Sequence, residues 1–381
     1  MEQRHLTSSC NQLPSICALT QRLNSSDRRH VLHFDEKDLL APDGEVTPPR
    51  ESRGFAVNEM VACETCLRAN PPTRVLCLYC ATPLAVSAEN VDLRRPALRR
   101  IEEWEGGYNV VLLPREGAVK PASELTDAAE WLRLDAARLG EMCDAGCPLP
   151  LARVATSEEA ALIKEKFEGI GLRIVIISDD ELATEADPPK RIRKLEFDQE
   201  GLTGWISAGS EAHCIEWNDV TLLVRGRIFK KEFEVEERRV IKPGARKEIA
   251  EARALSDDEA VLDLYAAHAA SGWRISAENF DYSGLGARKA LLARDNFITL
   301  VETLRTRAQA AAFDDEYIKV RHLLAAAWPL AEHVESRGLR RERPGKFNTE
   351  AVTHVSNEPQ FTRYGRLLNQ CWRLRRGESG E

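Results

Sequence analysis

The chain has 381 residues, 43% of them hydrophobic and 30% charged, with a formal net charge of −8. That length suggests two or three domains, and the composition is that of a globular protein with real cores rather than a disordered polymer. The acid excess repels polyanions, so nucleic-acid binding needs a local basic patch, and the longest apolar stretch, Leu323 to Leu330, falls far short of the roughly 20 residues a membrane helix requires.

Residues 1–59 hold no sustained period of 2 or 3.6 and are rich in Ser, Asp, Arg and Pro, which reads as a disordered segment. A sharper expectation makes this stretch a mis-assigned start, with Met60 opening the protein directly on its first motif. The opening MEQRHLTSSC has no basic start followed by an apolar run, so it is not a secretory signal. With ten cysteines and no export signal, a reducing cytoplasmic setting is expected, which favours metal binding over disulfides. Cys10 and Cys17 beside His5, His30 and His33 are set aside as a metal site, because no periodic element holds them.

The strongest motif is MVACETCLRANPPTRVLCLYC, where Cys63 and Cys66 form one C-x2-C pair and Cys77 and Cys80 a second. Each pair places two sulfurs on one ion, and the loop between them brings the second pair opposite the first to close a tetrahedron. Residues 60–85 therefore read as a small ribbon holding one zinc ion. Four thiolates leave no open position, so the ion is structural rather than catalytic. An iron–sulfur centre or four free thiols is the alternative. The motif resembles zinc ribbons and RanBP-type fingers, and Asn70 matches the Asn that RanBP-type fingers carry between their Cys pairs. It departs from them at Leu67 and Ala81, where a Gly or small polar residue is usual, and in lacking an upstream Trp.

Residues 106–184 follow a clear pattern. YNVVLLP from Tyr108 reads as a strand closed by Pro114, and Leu125, Ala128, Ala129 and Leu132 mark a helix face. Ala136, Leu139 and Met142 mark a second short helix, and LPLARVA a second strand. Thr156 with Glu159 forms a capping box for a third helix buried on Ala160, Ile163 and Phe167 and ended by Gly171. LRIVIIS is the closing strand. The resulting β-α-α-β-α-β order resembles the fold shared by the ClpS adaptor and the C-terminal domain of the ribosomal stalk protein. The acidic turn with which the ClpS family holds a substrate's amino terminus is replaced here by LLPREG, so degron recognition is not implied.

After the loop TEADPPK, residues 190–312 carry the strand-like runs RKLEFD, LTGWIS, HCIEW, VTLLVRGRIF and KKEFEVEER, with turns expected at Gly201, Ser207 to Ser210, Asn218 and Gly226. A charged insert from Lys242 to Glu259, two further strands, VLDLYA and GWRISAENFDYS, and a long helix marked by Leu291, Leu292, Phe297, Leu300, Val301 and Leu304 follow. An antiparallel barrel-like set of strands with a closing helix resembles a pleckstrin-homology-like domain. Residues 313–330 read as one more helix, Asp314 to Trp328, and 331–381 as a polar basic tail, with ten basic against five acidic side chains from Arg337 onward. The expected fold class is thus multidomain α+β.

No catalytic constellation emerges. SGLGARK at Ser283 to Lys289 lacks phosphate-loop spacing, with Gly284 and Gly286 read as a turn. His213 and Cys214 are neighbours on a strand and face opposite sides. Cys143 and Cys147 read as buried cysteines, the acidic pairs Asp179/Asp180, Asp257/Asp258 and Asp314/Asp315 as helix starts, and Trp205, Trp217, Trp273 and Trp328 as core. The basic tail, with Phe347, Phe361, Tyr364 and Trp372, is the candidate interaction segment. The leading functional expectation is a non-enzymatic zinc-binding protein-interaction or adaptor module with a protein partner and no membrane association. The alternative is a nucleic-acid-binding protein using the ribbon with Arg68, Arg74, Arg94, Arg95, Arg99 and Arg100; a third reading is an enzyme whose site forms only in three dimensions.

Overall fold

The computed structural model describes residues 55–85, 93–99, 101, 105–114, 122–182, 188–207, 209–240, 248–267, 272–343 and 346–377. The readings made on residues 1–54, including Cys10, Cys17, His5, His30 and His33, and on Arg100 lie outside them. A short 3-10 turn at Val57–Glu59 leads into strands β1 (Val61–Ala62) and β2 (Ala69–Asn70), which pair antiparallel and carry the first cysteine knuckle.

The middle region follows the order expected of it: β3 (Tyr108–Leu112), α1 (Ala122–Trp131), α2 (Ala136–Asp144), β4 (Leu149–Val154), α3 (Ser157–Gly169) and β5 (Ile174–Ser178). The sheet order is β4-β3-β5, all antiparallel. Local chemistry explains the ends of α3. Its first turn is capped by Thr156, whose hydroxyl accepts from Glu159 N at 3.3 Å, and the chain leaves the helix through Gly171 at φ +81°, where a Cβ would be strained. The reciprocal half of the capping box is absent: the Glu159 carboxylate instead accepts from Ala97 N at 2.9 Å. Helix α4 (Asp179–Leu182) ends the region.

Next come β6 (Lys190–Ile192), β7 (Lys194–Phe197), β8 (Gly201–Trp205), β9 (His213–Glu216), β10 (Val220–Val240), β11 (Glu248–Ala266), β12 (Trp273–Ser276), α5 (Ala293–Arg307), β13 (Ala312–Asp314), α6 (Tyr317–Leu324), β14 (Ala331–Arg343), β15 (Lys346–Ser356) and α7 (Glu358–Arg376). Strands β7-β8-β9 form a three-stranded sheet, and a seven-stranded sheet runs β14-β15-β10-β11-β12-β6 with β13 parallel to β10.

Several expectations change here. The two runs VTLLVRGRIF and KKEFEVEER are a single 21-residue strand. Gly226 sits inside it rather than in a turn, because a Cβ there would run into the Phe361 ring. Most of the expected charged insert is the first half of β11, so Asp257 and Asp258 lie on a strand and not at a helix start. Leu291 and Leu292 precede α5 and are exposed, leaving Phe297, Leu300, Val301 and Leu304 as its buried face. The helix expected over Asp314 to Trp328 contracts to α6, with Asp314 ending β13.

The largest change concerns residues 331–381. In place of a polar tail they supply two strands and the 19-residue helix α7. Phe361, Tyr364 and Leu367 on α7 are fully buried. They join one apolar cluster with Val110, Leu139, Ile163 and Phe167 of the middle region and with Val224, Tyr265, Tyr317 and Trp328. Burying one such side chain contributes roughly 1.5–3 kcal/mol, so α7 is a major structural member. Trp217 and Trp273 fill a second cluster, built on β8, β10 to β12 and α5.

A buried polar chain ties the middle region to α7. Asp179 accepts from Asn109 Nδ2 at 2.9 Å, Asn109 Oδ1 accepts from Trp328 Nε1 at 2.8 Å, and Gln360 Nε2 donates to the Trp328 carbonyl at 2.8 Å. Tyr317 links Gln360 to Asn357, which caps the β10 backbone at Phe229 N and Arg227 O. Asp179 also pairs with Arg153 at 2.7 Å, so its role exceeds that of a helix-start acid. Arg274 and Asp263, 3% and 0% exposed in their side chains, form a buried ion pair at 2.7 Å that Thr362 and Glu358 of α7 complete. Buried groups of this kind are tolerated only when their bonds are satisfied.

Candidate metal centre

The ribbon is built from two matching turns. In each, the amide after the second cysteine closes back on the first: Leu67 N donates to Cys63 O at 2.8 Å, and Ala81 N to Cys77 O at 3.0 Å. Cys63 N and Cys77 N in turn donate to Arg68 O and Thr82 O. These turns direct Cys63, Cys66, Cys77 and Cys80 inward, and all four sulfurs lie within 4.8 Å of one another. The pairs Cys63–Cys80 and Cys66–Cys77 are 3.5 Å apart, close to the roughly 3.8 Å expected between thiolates sharing a tetrahedral zinc. All four are free cysteines, as are the other four described ones.

Asn70 holds the two halves together. Fully buried, it donates from Nδ2 to Arg68 O at 2.9 Å and toward Cys77 Sγ at 3.5 Å, while its Oδ1 accepts from Leu78 N at 2.8 Å. The match noted in sequence therefore has a mechanical meaning, since one amide spans both knuckles.

The electrostatics of the bare thiols are uneven. Burial pushes Cys77 up, but the amides of Tyr79 and Cys80, the Asn70 side chain and the Cys66 thiol outweigh it and bring Cys77 down to about 6. At Cys66 the Arg68 amide pulls down, yet burial and the three neighbouring thiols raise it to about 12. Cys80 is lowered, chiefly by the side chain and backbone of Thr82. Four sulfurs this close resist joint deprotonation unless a cation sits among them, so the donor set suits a resident metal ion. Among the described residues these four are the only group of three or more His, Cys, Asp or Glu whose ligand atoms are already gathered within 4.8 Å of one another.

Both positions after the knuckles, flagged for lacking Gly, adopt left-handed backbone: Leu67 at φ 59° and Ala81 at φ 57°. Leu67 is 81% exposed, and Leu78 and Tyr79 on the second knuckle are also exposed. The Arg68 guanidinium lies 4.6 Å from the centre of the Tyr79 ring. Sequence reading passed over Leu78 and Tyr79 because, inside CLYC, they look like mere spacers.

The arginines considered for nucleic acid are largely engaged. Arg94 is buried and donates to the carbonyls of Leu84 and Ala85, Arg95 donates to Arg94 O, and Arg99 pairs with Glu105 through two bonds. Cys143 and Cys147 are buried, and burial raises the Cys147 thiol to about 11. The expected interaction segment supplies Phe361 and Tyr364 to the core, while Trp372 lies under Arg376 at 4.7 Å. Among the described residues no helix is long and apolar enough to cross a membrane. No family model, curated protein or solved structure matches the chain, so the adaptor-like and barrel-like resemblances gain no support from that side.

Proposed function

We propose that the chain is a non-enzymatic protein-interaction module whose zinc-loaded ribbon presents a docking surface at its knuckles. The carrying observation is Leu67. A branched side chain at φ 59° sits where Gly is the unstrained choice, at a cost of about 1 kcal/mol, and its side chain contributes little to the ribbon's own packing at 81% exposure. Strain kept at an exposed apolar residue is accounted for by what that residue touches outside the ribbon. Leu78 and the Arg68–Tyr79 stack extend the surface with the aromatic and arginine character that enriches protein interfaces. The metal's part is structural: four thiolates complete its coordination, and the ion fixes the two turns that display these side chains.

The test is quantitative capture from native lysate on immobilised wild type, Leu67→Gly and Tyr79→Ala. One stoichiometric protein partner held by wild type and lost in both variants is expected. Capture of nucleic acid instead, weakening steeply with salt, would favour the alternative reading. A partner retained equally by both variants, or none at all, contradicts the proposal.

A further inference from the structure

We propose a second metal site, independent of the ribbon, on one face of the large sheet: His333, His354, Glu232 and Glu335 form an open two-imidazole, two-carboxylate site for a divalent transition ion such as zinc. The register places them. His333 of β14 lies directly opposite His354 of β15, and His354 lies directly opposite Glu232 of β10 on its other side. Opposed residues on antiparallel strands share a face with Cβ atoms about 4.5–5.5 Å apart. Glu335 lies two residues along β14 from His333, on that same face, and the bulge in this strand pair falls only beyond it, between Ser336 and Gly338. Its Oε2 is already 3.8 Å from His354 Nε2.

Three adjacent strands thus put four nitrogen and oxygen donors on one face of the sheet. Imidazole with carboxylate is a donor set suited to zinc, copper and nickel. His333 is exposed, and the side chains of His354 and Glu335 are 42% and 60% exposed, so rotamer changes that are fast at a surface bring both rings onto one ion. Lys230, two residues from Glu232, has its Nζ directed to Glu358 at 3.4 Å. The openness distinguishes this site from the ribbon: water completes the coordination, and the ion exchanges with solvent.

The experiment is calorimetric titration of zinc into full-length protein whose ribbon is already zinc-loaded, with loading verified by metal analysis. One further zinc per chain is expected, with affinity falling about tenfold or more in His333→Ala and in His354→Ala, and in His333→Gln, which keeps a polar side chain of similar size. Val334→Ala, on the opposite face, leaves the isotherm unchanged. No binding beyond the ribbon's ion, or the same isotherm in wild type and all three histidine variants, overturns the proposal.

Discussion

The ribbon and the shell around α7 solve the same problem by opposite means. The ribbon buries almost nothing: its apolar cluster is Cys63, Cys77 and Leu84, with Val61 and Cys66 against it. A unit that small cannot hold itself by burial, and in our account an ion among four sulfurs supplies the missing stability. The α7 shell has no such centre and is held by apolar area, with Phe361 packed edge-on to Tyr317 at 4.8 Å and under Arg274 at 5.1 Å. One region depends on four atoms and the other on a whole surface. Each should therefore fail without the other.

The largest effect expected follows removal of the ion. Chelation, or Cys63→Ser with Cys77→Ser, unfolds the ribbon, since structural zinc contributes on the order of 10 kcal/mol in small fingers. The remainder should keep its Tm, which calorimetry reads directly. Next comes Phe361→Ala, expected to cost about 3–5 kcal/mol and to lower the main Tm with metal content unchanged. If either change propagates fully into the other region, the separation is wrong.

A third, smaller effect is a pH dependence of the shell, separate from that of the ribbon's thiols. Burial raises the Asp314 carboxyl from 3.8 to about 6, although the Tyr364 hydroxyl and the Glu316 amide hold it down. Below pH 4 both folded and unfolded chains carry the proton. Between about 4 and 6 only the folded chain retains it, so stability declines as pH rises, by on the order of 3 kcal/mol in all. Asp314→Asn should remove that decline in Tm between pH 4 and 7; an identical slope in wild type and variant would contradict it. The smallest effect is Leu67→Gly, expected to stabilise the metal-loaded ribbon by about 1 kcal/mol by relieving the left-handed strain, read as slower zinc loss to a chelator.

How much was legible in the sequence follows from the same contrast. The ribbon and the β3 to β5 unit are local: C-x2-C spacing, the Thr156 cap, Gly171 and the 3.6-residue faces each act within a few residues. The α7 shell is set by long-range pairing. KFNTEAVTHVS and the arginine-rich run before it look solvated until β10 is seen to extend over 21 residues and pair with β15. Likewise α7 reads as basic because five of its six charged residues are arginines, while Phe361, Tyr364, Leu367 and Leu368 keep the i, i+3, i+6, i+7 spacing of one buried face. Asp179 and Asp314 read only as helix-start acids and Asn109 was not singled out, because their partners lie 26 to 219 residues away or arrive from another element. At the candidate metal centre the clustering of the four cysteines was legible and the exposed surface was not, since exposure and φ at Leu67 exist only once the knuckle is folded.

The most direct test of the central claim is metal analysis of purified protein carrying His333→Ala and His354→Ala, so that only the ribbon counts. About one zinc per chain, falling to none when Cys63→Ser and Cys77→Ser are added, is the predicted result. Protein that is fully folded and metal-free, or a zinc content unchanged by the cysteine substitutions, would contradict it.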